Sequence, residues 1–116
     1  MSSRFPGVSD MLVTVKSRQA QRALLAEMRQ DRASAIRHFL AAAHLELVIA
    51  ADYDNANVPR HAFRSRIAAA SCLWRGGQFQ QARDLFDALR KQHADKSDMI
   101  QRALDELNRD HPALAS

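Results

Sequence analysis

Apolar residues recur along this chain at three- and four-residue spacing, the period of a helix packed on one side. The clearest stretch runs from Ala62 to Arg90, AFRSRIAAASCLWRGGQFQQARDLFDALR, which reads as two helices joined by a Gly-Gly turn. Five helices can be drawn in all. The first runs from Asp10, as N-cap, to Arg29, with Val15, Ala20, Ala23, Leu24 and Met28 only loosely periodic. The second runs from Asp31 to Tyr53. Its Ile36, Phe39, Leu40, Ala43, Leu47 and Ala50 keep the helical period while Leu45, Val48 and Ile49 fill other faces, so it is expected at the centre of the molecule.

Residues 54–59, DNANVP, break the pattern, because Asn and Asp favour turns and Pro59 suits the start of a helix. The third helix covers Pro59 to Arg75 and is stopped by Gly76 and Gly77, through the left-handed conformation open to glycine. The fourth runs from Gln78 to His93. Asp95 or Ser97 is expected to cap a fifth helix through Asn108, with Met99, Ile100, Ala103, Leu104 and Leu107 on one face. Residues 1–9 are expected as a flexible N-terminal segment, 10–110 as one helical domain, and 111–116 as a flexible tail in which Pro112 is the stop signal.

Residues 63–90 resemble a tetratricopeptide repeat. In such a unit small residues let two helices approach closely while large ones fill the adjacent groove. Ala70 and Leu73 take these roles on the first helix, Gly77 makes the turn, and Ala82, Phe86 and Leu89 follow on the second. Ala35, Phe39 and Ala42 repeat the spacing of Ala82, Phe86 and Leu89, with Gln30-Asp31 as the turn. Arg66 stands where the family carries a Trp. The resemblance implies an all-α fold of stacked antiparallel hairpins, a right-handed tetratricopeptide-like array with the fifth helix as cap. It also implies use as a protein-interaction or adaptor module, non-catalytic and without a cofactor. A stack of two hairpins is short, which suggests self-association through an exposed apolar face.

Composition agrees with helices: of 116 residues only 3 are Gly and 3 Pro, too few for the turns of an all-β fold. The net charge is +4 and arginine dominates it. Between Asn55 and Arg83 stand Arg60, Arg64, Arg66, Arg75 and Arg83 and no acid. Such a stretch attracts acidic protein, an anionic ligand or nucleic acid. Arg60, Arg64 and Arg75, with Tyr53 and Trp74 as aromatic anchors, are the candidate contacts for an acidic protein or peptide partner. The alternative is a nucleic-acid-binding helical domain that touches phosphates through the same arginines. The fourth helix, acidic at Asp84 and Asp87, suits no base-reading role.

Little else suggests chemistry. His38 and His44 lie on different sides of one helix, and no motif holds a metal. Cys72 is single and sits in an apolar run, as a core thiol does. Glu46, inside LELVIAA, must pair or take up a proton if buried. Asp52 and Asp54, at a helix end where acids are unfavourable, call for an arginine such as Arg60 or Arg64. No signal-peptide stretch and no membrane span are read, so the expected setting is cytoplasmic, without a membrane partner.

Overall fold

The computed structural model describes residues 7–113, and it is all-α with no strand among them. Five helices follow in chain order: α1 Asp10–Met28, α2 Arg32–Asn55, α3 Pro59–Arg75, α4 Phe79–Gln92 and α5 Ser97–Asp110, with a 3-10 turn Ala94–Lys96 before α5. Each helix packs on its chain neighbours, and α3 additionally touches α5. Helices α3, α4 and α5 thus form a triangle, and α2 bridges α3 to α1. The result is a slab of 41 × 34 × 17 Å.

The first three connections are one device used three times. Each is a three-residue linker whose middle residue is left-handed: Gln30 at φ 59°, Asn57 at φ 60° and Gly77 at φ 82°. In each, two backbone N–H groups reach back to close the preceding helix. Gln30 and Asp31 donate to Glu27 and Ala26, Asn57 and Val58 to Asp54 and Tyr53, Gly77 and Gln78 to Trp74 and Leu73. This is the Schellman closure. Only Gly77 of the glycine pair is left-handed. Gly76 is a close approach instead: a Cβ there would lie 2.7 Å from Leu40 Cδ2, so that side chain would have to shift.

Helix starts are less uniform. Ser9, not Asp10, caps α1, its Oγ accepting from Leu12 N–H at 3.3 Å. Asp31 caps α2 through Ser34 N–H. Neither Asp95 nor Ser97 caps α5: the N-cap is Lys96 and makes no side-chain bond, because the 3-10 turn already leads the chain in. Residues 1–6 and 114–116 of the expected flexible ends lie outside the described residues. The rest of those segments is engaged, for Val8 is buried, His111 accepts a hydrogen bond from Trp74, and Ala113 packs on the core.

Two clusters hold the helices together. The larger joins Phe63, Ala70, Leu73 and Trp74 of α3 to Ala82, Phe86 and Leu89 of α4, Ile100 and Leu107 of α5, and Ala43 of α2. The smaller contains Ala23, Ala26, Ala35 and Phe39, and Cys72 packs against both. Ala35, Phe39, Ala42, Ala70, Leu73, Ala82, Phe86 and Leu89 are all buried. Helix α2 lies between α1 and α3, yet its outward side, with Arg37, His44, Val48 and Ala51, is exposed. By length and composition α2 is apolar enough to cross a membrane, which the search for an unbroken apolar run overlooked. Here seven of its residues, Glu46 among them, are buried in the slab.

Candidate partner-binding surface

Three of the five arginines in the acid-free stretch are engaged within the chain. Arg66 pairs with Asp54 at 2.5 Å, and its hydrogen bond holds that carboxyl below the ordinary range. The clamp expected at the end of α2 thus exists, but its arginine is Arg66 rather than Arg60 or Arg64. Arg75 reaches Glu27 on α1 at 2.5 Å while its guanidinium lies over the Phe39 ring, 4.5 Å from the centroid. Arg83 lies over Trp74 at 5.2 Å. Arg60 and Arg64 are exposed and form no ion pair among the described residues.

On α3 the positions 60, 64, 68, 71 and 75 fall within about 80° of arc at 100° per residue. Arg60, Arg64, Ala68, Ser71 and Arg75 therefore form one stripe, with small residues between arginines. Arg60 and Arg64 at its start are exposed, and Ala68, Ser71 and Arg75 beyond them are partly buried. At its Arg75 end the stripe meets two clefts that share Glu27, Arg32 and Arg75. One has a volume of 350 Å³ and is completed by Gln30, Ala35 and Ile36. The other, of 300 Å³, is completed by Trp74, Phe79, Asp110, His111 and Pro112.

The aromatic anchors fare differently. Trp74 is 1% exposed, sits edge-on to Phe79 with centroids 4.9 Å apart, and donates Nε1–H to the His111 carbonyl at 2.6 Å. It is buried in the core, where the segment after α5 holds it, and only its edge borders the 300 Å³ cleft. Tyr53 is partly buried and its ring lies against His61 in a tilted contact, centroids 5.1 Å apart, across the α2–α3 turn. Arg32 and Glu27 escaped the sequence reading. An acid in the last turn of a helix opposes the helix dipole, so Glu27 carried the same signal as Asp54, and it too is met by an arginine of α3.

Glu46 is buried at 6% exposure, with Lys16 Nζ of α1 at 3.9 Å. Burial raises its pKa and the Lys16 charge opposes that rise. Its partner is a lysine of α1. Burial, with the Glu46 charge added, pushes the nearby Cys72 thiol up to about 11, so Cys72 stays protonated and inert near neutrality. The Glu46 shift has a sign. A carboxyl whose folded pKa is raised contributes its stability in full below the ordinary value of 4.5 and loses it as pH rises through the folded pKa. Glu46→Gln imitates the protonated acid. It is expected to match wild type in acid and to exceed it near neutrality, read by urea unfolding across pH.

No family model, curated protein or solved structure matches this chain. The tetratricopeptide resemblance accordingly rests on the residues and spacings quoted above. Among the described residues no three His, Cys, Asp or Glu side chains converge as metal ligands.

Proposed function

We propose that the protein is a small tetratricopeptide-like interaction module, without catalytic activity, that takes an acidic segment of a partner protein along α3. The observation that carries this reading is the pair Arg60 and Arg64, exposed one turn apart and free of ion pairs among the described residues. An extended acidic peptide on this stripe meets two guanidinium groups, then small side chains at Ala68 and Ser71, then the clefts beside Arg75 and Arg32. Guanidinium groups pair well with carboxylates in two-pronged geometry. A cytoplasmic setting belongs to the same proposal.

Nucleic acid is the weaker reading for this face. Tracking a phosphate backbone takes several cations, and each adds to the salt dependence. With Arg66, Arg75 and Arg83 turned to internal partners, the stripe offers two.

The test is capture from a nuclease-treated extract of the native host, with wild type and R60E/R64E as parallel baits of equal helicity. Wild type is expected to retain a protein that the variant loses by about tenfold or more. Equal retention by both baits would defeat the assignment of the α3 stripe.

A further inference from the structure

Helix α1 is polarised the opposite way from an ordinary surface helix. Its buried residues are Ala23 and Ala26 alone, and much of its hold on the body is polar. Lys16 reaches Glu46, Glu27 reaches Arg75, and Gln19 Oε1 accepts from His38 Nδ1–H at 2.6 Å. Leu12, Val13 and Val15 are partly buried, but four bulky apolar residues point outward: Leu24 is 45% exposed, Leu25 48%, Met28 79% and Met11 75%. Of the other helices α1 packs on α2 only, so among the described residues no other helix covers that face.

The surroundings of Leu24, Leu25 and Met28 are cationic. Arg18, Arg22 and Arg29 of α1 and Arg32 and Arg37 of α2 are all exposed, and none forms an ion pair among the described residues. The nearby acids are occupied, Glu27 by Arg75 and Asp31 by the α2 cap. The tip of the α1–α2 hairpin is thus an apolar point ringed by arginine.

We propose that this tip docks on an anionic phospholipid surface, with Leu24, Leu25 and Met28 entering the interfacial layer and the five arginines meeting the headgroups. Charge complementarity selects this occupant. Bulky apolar side chains beside clustered arginine are the composition of helices that lie in the lipid interface. Arginine also buries its aliphatic stem while the guanidinium stays at headgroup level. A partner helix would need a groove, and the cleft at this point, beside Leu25, Arg22 and Arg29, holds only 190 Å³. A second copy would bring a second arginine ring against the first, with like charges facing one another across the contact. The expectation of no membrane partner rested on the lack of a span, and surface docking needs none.

The experiment is vesicle flotation of the full chain, with phosphatidylcholine alone and with phosphatidylserine added. Flotation is expected only with phosphatidylserine, and weakening with salt. L24S/L25S/M28S and R22E/R29E, with helicity unchanged, are each expected to reduce it about tenfold. Should the triple variant lose helicity, M28S serves in its place, with a smaller loss expected. Absence of flotation with phosphatidylserine overturns the proposal. So does binding that ignores the apolar substitutions, which would leave simple charge attraction. A wild-type dimer that the triple variant splits would assign the tip to a second copy instead.

Discussion

Phe86→Ala is expected to lower stability by about 3–5 kcal/mol, the range for emptying a fully buried phenylalanine site. Phe86 is 0% exposed and lies in the cluster where α2, α3, α4 and α5 all contribute side chains. Its surroundings cannot readily collapse into the void, because alanines at Ala43, Ala70 and Ala82 have already brought the backbones close. Domains of this size are stable by only about 5–15 kcal/mol in total. A fall in Tm of more than about 10 °C follows, measured by circular dichroism. A fall of only a degree or two would mean that the large cluster is not the main source of stability.

Trp74→Ala is expected to cost a similar amount, about 3–5 kcal/mol, and to do so by loosening α5 as well as emptying the core. The indole fills space between α3 and α4, and its N–H holds the His111 carbonyl beyond the end of α5. Trp74→Phe separates the two contributions. It keeps a ring at the site and removes the hydrogen bond with some volume, for about 1–2 kcal/mol. Denaturant unfolding gives both numbers. Because Trp74 is the only tryptophan in the chain, wild-type emission also reports directly on this site. Trp74→Phe is expected to leave partner capture unchanged at matched folded concentration. Loss of capture with stability intact would restore Trp74 as an anchor.

How far the fold can be read from the chain depends on which residues carry the information. Helix identities follow from periodicity and from strong breakers such as Pro59 and Gly77. The close-packing alanines are equally legible, because only small residues suit a tight crossing. Surface assignments were harder, since they depend on which side chains meet across helices. Whether Arg64 or Arg66 faces Asp54 is a matter of helix phase relative to a neighbour, which spacing within one helix does not contain. Trp74 was hard to place for a related reason: the carbonyl that holds its N–H belongs to His111, far along the chain. The outward apolar residues of α1 sat in a loosely periodic stretch, and that looseness was itself the sign of a helix with two unlike faces. The Schellman turns at Gln30 and Asn57 carry no glycine, so their kinship with the Gly77 turn emerges only from backbone geometry.

The division into two clusters bears on how the chain assembles as it is made. Synthesis runs from the N-terminus, so the α1–α2 hairpin emerges first. Its own cluster is Ala23, Ala26, Ala35 and Phe39, three methyl groups and one ring, too little to hold two helices alone. The pieces that complete it, Cys72 against the cluster and Arg75 over Phe39, belong to α3. All but Ala43 of the larger cluster lies from Phe63 onward. The first-made half therefore waits on the second, and α3 serves as the template on which the nascent hairpin closes.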